Sequence, residues 1–274
     1  MKLFITGGTG FIGSNFIEHA NSKGIDIIAL KRKESYPVIE LSNPIKRVEA
    51  DLDSFAEEKL SDCTHFIHFA SYGVTDQGNW EKCFKTNVLD SLIALKKGVK
   101  AGINKFIIIG SCFEYGISAM DYEKIPTTAP LKPINAYSAS KAAASVAISS
   151  FLEAAKKKYT VLRLFHVYGK GEREGRFWPS LCKAAMNGED FDMTRGEQIR
   201  SFSNVTHVVE NIYECLDIDD SKCHFRNLGS DNPTSLREFA EYWWKKLNAK
   251  GELKLGALPY PDDEIMRYIP DLDY

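Results

Sequence analysis

Near its amino terminus the chain reads Lys2-Leu3-Phe4-Ile5-Thr6-Gly7-Gly8-Thr9-Gly10-Phe11-Ile12-Gly13-Ser14. Lys2 to Thr6 is a short apolar strand, and Phe11 begins an amphipathic helix that runs to Ser22. The glycines lie at the junction. Gly8, Gly10 and Gly13 fit Gly-x-Gly-x-x-Gly, and Gly7, Gly10 and Gly13 fit its Gly-x-x-Gly-x-x-Gly variant. Glycine permits the tight turn, lets backbone amides approach a pyrophosphate, and lets the helix pack closely on the strand. The helix N-terminus adds partial positive charge. A strand before and a helix after are the context this motif requires. Gly7, Gly10, Phe11, Ile12 and Gly13 are therefore candidate dinucleotide-binding residues.

Beyond this unit the alternation continues. Further strands are expected at Ile25 to Leu30, Arg47 to Ala50, Thr64 to Phe69, Lys105 to Ile109 and Thr160 to Phe165, with helices at Trp80 to Lys100 and Ala136 to Lys157. Continuous apolar strands separated by helices imply a parallel sheet covered on both faces, and right-handed crossovers make it doubly wound. The expected fold is α/β: a Rossmann-type doubly wound parallel sheet with a small C-terminal substrate-binding lobe. Residues 1–165 form the dinucleotide-binding part, to which about 196–228 return. Residues 166–195 and 229–274 form the lobe, where Ser235 and Glu238 make a capping box ahead of a helix whose apolar side carries Trp243. Core packing is expected for Trp243 and Trp244.

The totals set outer bounds. With 274 residues, 44% hydrophobic, the chain can bury a large core. A net charge of −2 gives no basic surplus for nucleic acid. No apolar run reaches the ~18 residues of a membrane span, and the initial apolar stretch is too short for a signal peptide. The expectation is a cytoplasmic protein. Six cysteines at 63, 83, 112, 182, 215 and 223 include no Cys-x-x-Cys pair, so reduced thiols and no metal site are expected.

Three further places carry chemistry. The second strand ends in Leu30-Lys31-Arg32-Lys33, where a carboxylate would hold the adenosine ribose of NAD. Lys31 and Arg32 would instead pair with a 2′-phosphate, so NADP(H) is favoured, with NAD(H) as the alternative. Tyr137 and Lys141 lie four apart on a helix, hence on one face. A cation beside the phenol lowers its pKa from ~10, making Tyr137 a general acid or base. Ser111 ends the fifth strand, and ligands of open parallel sheets bind at the carboxyl ends of strands. Its hydroxyl would steady the substrate oxygen that Tyr137 protonates.

With GGTGFIGS at 7–14, Asp51, His-Phe-Ala-Ser at 68–71, Thr-Asn-Val at 86–88, Ser111 with Tyr115-Gly116, Tyr137 to Lys141, and Leu-Arg-Leu-Phe-His-Val-Tyr-Gly at 162–169, the sequence resembles the extended short-chain dehydrogenase/reductase superfamily. More narrowly it resembles the NAD-dependent epimerases and dehydratases of nucleotide sugars. The resemblance implies a catalytic triad of Ser111, Tyr137 and Lys141. It places Asp51 and Leu52 at the adenine end of the cofactor, and Phe69, Ala70, Ser71, Phe165 and Val167 along it, with Asn87 in support.

A 4,6-dehydratase of this group carries an Asp-Glu pair just after the serine or threonine; here stand Cys112 and Phe113. The Ser-Cys-Phe-Glu-Tyr-Gly string and the tail Pro-Asp-Asp-Glu-Ile-Met-Arg-Tyr look like the 4-keto-6-deoxy-sugar reductases. These act on dTDP-, CDP- or GDP-linked sugars in surface polysaccharide synthesis. The implied reaction is hydride transfer from NADPH to C4 with Tyr137 as proton donor. Ser111, Cys112, Phe113, His166, Phe177, Arg200 and Arg267 are the implied substrate-binding residues, the two arginines forking onto the diphosphate, with Trp178 and Pro179 nearby. His166 replaces an asparagine of many relatives and is either a substrate contact or a hydrogen-bonded core histidine. Relatives often add a final helix beyond the equivalent of Asp271-Leu272-Asp273-Tyr274, so a truncated chain or a shorter, more open lobe is expected. A homodimer through the helix bearing Tyr137 and the one before it is also implied. The rival readings are an epimerase that retains NAD and a non-catalytic NAD(P)-sensing protein of the same fold.

Overall fold

The computed structural model describes residues 1–74, 76–218 and 224–272. Strands β1 (Lys2–Thr6), β2 (Asp26–Lys31), β3 (Lys46–Glu49), β4 (His65–His68), β5 (Lys105–Ser111), β6 (Lys158–Leu164) and β11 (Phe225–Leu228) form one seven-stranded sheet. Its order is β11-β6-β5-β4-β1-β2-β3, and every pairing is parallel. This is the doubly wound Rossmann arrangement expected from the alternation. Strand order reverses beside β1, which puts the glycine loop at the carboxyl edge of the switch point.

Alternate residues of the strands feed two cores. Leu3, Ile5, Ile27, Ala29, Ile67 and Leu162 pack with Phe16, Ile17 and Ala20 of α1 (Phe11–Ser22) and with Val208, Val209 and Ile212 of α6 (Val205–Glu214). Phe4, Ile28, Phe66, Phe106 and Val161 face the other way. They pack on Ala94 and Leu95 of α3 (Ser91–Lys100) and on Ala144, Ile148 and Leu152 of α4 (Ala136–Ala154). Each fully buried aliphatic or aromatic side chain here contributes ~1.5–3 kcal/mol, and a one-residue register slip would send each row into the core shaped for the other.

The single helix expected over Trp80 to Lys100 is interrupted. A helix α2 (Trp80–Phe84) passes through a π-helical turn at Lys85–Asp90 into α3. The widened turn carries Asn87, which is buried with all its amide capacity in use. Its Nδ2 donates to the Tyr72 carbonyl at 2.9 Å and to Ser140 Oγ at 2.8 Å, and its Oδ1 accepts from Tyr72 N at 2.8 Å. Periodicity alone carries no trace of such an inserted residue.

The lobe holds β7 (Val167–Tyr168), α5 (Phe177–Asn187), β8 (Phe191–Met193), β9 (Ile199–Arg200), β10 (Ser203–Asn204), β12 (Thr234–Ser235), α7 (Leu236–Lys246), β13 (Leu253–Leu255) and β14 (Arg267–Tyr268). Small sheets β12-β9-β14, β8-β13 and β7-β10 tie these pieces together. Because β9 pairs with β12 and β14, the chain returns to the large sheet at α6, not at residue 196. Ser235 caps α7 as expected, accepting from Glu238 N at 3.1 Å. Trp243 packs edge-on against Tyr168 and Trp178, and Trp244 joins the cluster of Leu181, Met193 and Ala240. The described cysteines, Cys63, Cys83, Cys112, Cys182 and Cys215, are buried; Cys223, Asp273 and Tyr274 lie outside the described residues. Among the described residues no helix is long and apolar enough to cross a membrane, and no cluster of metal-ligating side chains occurs.

Candidate active site

The turn after β1 is shaped by its glycines. Gly7 has φ +71°, and a Cβ there would fall 2.4 Å from the Ala70 backbone nitrogen. A Cβ on Gly13 would fall 2.3 Å from the Gly7 carbonyl oxygen. No side chain fits in either place, so the loop keeps its backbone open at the N-terminus of α1. Beside it lies a cavity of about 500 Å³ lined by Phe11, Ile12, Arg32, Phe69, Ser71, Ser111, Cys112, Tyr137, Lys141, Phe165 and Val167 among others. This elongated cleft between a helix N-terminus and the carboxyl ends of β4, β5 and β6 fits a dinucleotide.

Two expected cofactor contacts are placed otherwise. Lys31 does not line this cleft: it stands opposite Glu49 in the β2–β3 register, and its Nζ lies 2.7 Å from the Glu49 carboxylate. Arg32 does line the cleft. With Lys33, Ser35 and Asp51 it also lines a smaller adjoining hollow at the sheet edge. Leu52 packs against the second core instead. Ala70 serves through its backbone, as the close neighbour of Gly7.

β5 delivers Ser111, and α4 delivers Tyr137 and Lys141 to the same wall. All three are buried. Asn135 caps α4 by accepting from Ser138 N at 2.9 Å, which fixes the first turn that carries Tyr137. Ser111 accepts from Phe113 N at 3.3 Å, and its hydroxyl lies on the same cleft wall as the Tyr137 phenol. The expected electrostatic pairing differs, however. The Lys141 ammonium donates to the Ile109 carbonyl at 2.5 Å. Burial pushes Tyr137 up to about 12, with the Ser111 hydroxyl opposing. Burial also lowers Lys141, with the Glu114 carboxylate opposing. Helical spacing put the two residues on one face but did not set where the ammonium points.

Beneath Ser111 lies a buried ionic network. Glu114 accepts from Ser111 N at 2.8 Å, Ser145 Oγ at 2.8 Å and Arg163 Nε at 2.9 Å. Arg163 in turn donates to Tyr115 Oη at 3.0 Å and the Thr127 carbonyl at 2.9 Å. Tyr115 donates to Asn227 Oδ1 at 2.6 Å. The serine backbone is thereby tied to β6, β11 and α4, a rigid support of the kind a preorganised donor requires.

A second cavity of about 450 Å³ opens in the lobe, lined by Phe113, His166, Glu172, Arg176, Phe177, Trp178, Gln198, Arg200, Phe202, Phe239 and Tyr268 among others. Phe177 and Arg200 lie on its wall, Arg200 in an ion pair with Glu264. Arg267 does not. Its guanidinium faces away, donating to the Glu123 carbonyl at 3.1 Å. In β14 the neighbouring Tyr268 takes the inward position. His166 is half-buried, and its Nδ1, which is shielded from solvent, lacks a hydrogen-bond partner. Burial first, then Arg200 and Arg176, hold it well below its usual range, so it is neutral. It is thus not the hydrogen-bonded core histidine of one reading. Glu172, Arg176, Gln198 and Tyr268 were not picked out from the sequence. A clue for the first two was the glycine-rich stretch Gly169 to Gly175, which marks a functional loop.

Residues 3–228 match the family model described as the NAD dependent epimerase/dehydratase family. The chain is 29% identical to CDP-abequose synthase of Salmonella muenchen, over 97% of this chain and 87% of that protein. It is 26% identical to a UDP-glucose 4-epimerase of Corynebacterium glutamicum, over 88% and 79%. Among solved structures, an NAD-dependent NDP-hexosamine 5,6-dehydratase of tunicamycin biosynthesis superposes with a TM-score of 0.87 at 25% identity, over 99% of this chain and 89% of that one. With the glycine cradle, the Tyr137–Lys141 wall and the parallel sheet in place, the chain belongs to the NAD-dependent epimerase/dehydratase family.

Proposed function

We propose that the protein reduces a nucleotide-linked 4-keto-6-deoxy sugar with NADPH. The observation that carries this reading is the Tyr137 phenol itself: buried, beside Ser111, and at the wall of a cleft that joins a second, lobe-side cavity. A phenol pushed up to about 12 holds its proton at neutral pH. It is therefore ready to donate to an alkoxide as that charge develops, which is what a carbonyl reduction needs.

When bound, the nicotinamide supplies the reducing equivalent. Gly7, Gly10 and Gly13 would face its pyrophosphate, Arg32 a 2′-phosphate, and Lys141 the nicotinamide end. Ser111 hydrogen-bonds the substrate oxygen and Tyr137 gives it a proton. Water elimination lacks the Asp-Glu pair that a dehydratase of this group uses. Cys112 and Phe113 occupy the places of a dehydratase's acid pair, and burial pushes the Cys112 thiol up to about 12. Lobe residues Arg200 and Arg176 supply positive charge for a dTDP-, CDP- or GDP-diphosphate. The names of the two relatives, a CDP-sugar synthase and a UDP-sugar epimerase, support a nucleotide-sugar ligand. Exposed Trp80, Leu89, Ile93 and Val146 on the α2 to α4 segments would bury themselves in a homodimer.

The test is NADPH absorbance with a panel of 4-keto-6-deoxy-sugar nucleotides, run beside NADH. Oxidation of NADPH with at least one of them is expected. The UDP-glucose 4-epimerase relative supports the second reading; protein purified with tightly held NAD that never consumes NADPH would establish it and refute ours.

A further inference from the structure

The two cavities meet along a seam. Phe113, His166, Val167, Glu172 and Arg176 line both of them. Two of these five residues carry a buried side-chain atom without a hydrogen-bond partner: Nδ1 of His166 and Oε2 of Glu172. The Glu172 side chain is only 8% exposed, and its other oxygen stands 3.7 Å from Arg176 Nε. A buried acceptor left unmade costs ~1–3 kcal/mol, so a ligand group that reaches it recovers that loss.

Glu172 is held in place by its loop. Its backbone N–H closes a turn on the Gly169 carbonyl at 3.0 Å. Asn15 of α1 donates to the Lys170 carbonyl at 2.9 Å. Gly171 has φ +88°, and a Cβ there would fall 2.8 Å from the Ile39 side chain, so the loop lies flat against the large domain.

We propose that Glu172 is a specificity-determining residue that hydrogen-bonds a ring hydroxyl of the sugar carried by the nucleotide, with His166 taking a second hydroxyl on the same seam. This rests on the nucleotide-sugar reading above. Position selects the sugar over the other parts of the ligand. The reacting carbon must lie by Ser111 and Tyr137 in one cavity, while the nucleotide fills the aromatic lobe cavity, so the ring spans the seam between them. Charge selects it as well. A diphosphate would be drawn to Arg176 and Arg200 and repelled by an ionised Glu172, whereas a hydroxyl serves as donor or acceptor to either form. Burial raises Glu172 to about 7 despite Arg176, and the neutral His166 presents one free ring nitrogen. Both groups therefore offer hydrogen bonds with little net charge, as recognition of a hydroxylated ring requires.

The experiment compares nucleotide sugars with their sugarless diphosphates by titration calorimetry on the full chain in NADP⁺. The pairs are dTDP-glucose with dTDP, CDP-glucose with CDP, and GDP-mannose with GDP, and the pair that the unaltered protein binds is carried forward. Glu172→Ala is expected to weaken the sugar-bearing ligand about tenfold, the size of one buried hydrogen bond. The diphosphate and NADP⁺ should bind as before. Glu172→Gln, which keeps an acceptor, should stay within about threefold. Glu172→Leu replaces the alanine variant if that one folds poorly. Equal loss for the sugar and its diphosphate, loss for NADP⁺ alone, no loss, or no gain from the sugar in the unaltered protein would each overturn the assignment. Failure of the reductase reading shows elsewhere, as NADPH left unconsumed while the sugar-dependent gain in affinity persists.

Discussion

Glu114→Gln should destabilise this protein severely without touching a substrate. Glu114 is fully buried and its partner Arg163 is 4% exposed. The carboxylate takes three hydrogen bonds, from the Ser111 backbone, Ser145 and Arg163. A glutamine can accept from Ser111 N with its carbonyl oxygen, and Ser145 can rotate to accept. Its amide N–H groups then face the Arg163 Nε–H, donor against donor. The guanidinium, still stacked at 4.8 Å over the Tyr115 and Phe225 rings, stays buried without its counter-charge. Removing one partner of such a pair costs ~3–5 kcal/mol. For a chain of this size the urea slope lies near ~3 kcal/mol/M, so the unfolding midpoint should fall by roughly 1 to 1.7 M at unchanged slope. Urea titration followed by circular dichroism measures it. Adding Arg163→Met to the same chain should restore part of the loss, because the stranded charge is then gone. A Glu114→Gln midpoint within about 0.2 M of the parent's, well under 1 kcal/mol at that slope, would refute this account of the network.

Other expectations are simpler to state. Tyr137→Phe should cut turnover at least ~100-fold with the fold intact; an unchanged rate removes Tyr137 from the chemistry. Gly13→Ala puts a methyl 2.3 Å from the Gly7 carbonyl oxygen, so cofactor fluorescence titration should show NADPH affinity lost by at least about tenfold while the sheet survives. Arg32→Ala should raise KM for NADPH about tenfold or more and leave NADH unchanged, one charge-assisted phosphate contact being worth ~1.5–3 kcal/mol; equal effects on both cofactors would count against the 2′-phosphate role. Glu172 has its folded pKa raised from 4.5 to about 7 by burial, so between those values the folded state holds a proton that the unfolded chain has released. Its contribution to stability is full below about 4.5 and is lost as pH rises through 7. The difference in unfolding free energy between the parent and Glu172→Gln should follow that window, and a pH-independent difference would show that the carboxyl does not titrate there.

The parts of the site that were readable are those governed by local periods. Tyr137 and Lys141 share a helix face, Ser111 ends a strand, and Gly7 to Gly13 turn between the two elements, so sequence spacing alone placed them. The misplaced residues depend on partners far along the chain. Lys31 reads as a free cation until the β2–β3 register sets it opposite Glu49. Arg267 reads as a phosphate ligand until β14 pairs with β9, which turns Tyr268 inward and Arg267 toward Glu123. The π-turn at Asn87 and the inward aim of Glu172 leave no mark in periodicity, because neither repeats.

From its residues in order this chain determined a parallel doubly wound sheet, a dinucleotide cradle at the first turn and a Tyr–Lys wall, since hydrophobic period, glycine stereochemistry and helical spacing act over a few residues at a time. Tertiary structure decided which charges are left for a ligand. Burial raised the Tyr137 phenol, the Ile109 carbonyl took the Lys141 ammonium, and the seam between two cavities holds one unpartnered atom each of Glu172 and His166. Desolvation and long-range pairing set those outcomes, and both depend on what the fold brings alongside a group, not on its neighbours in the chain.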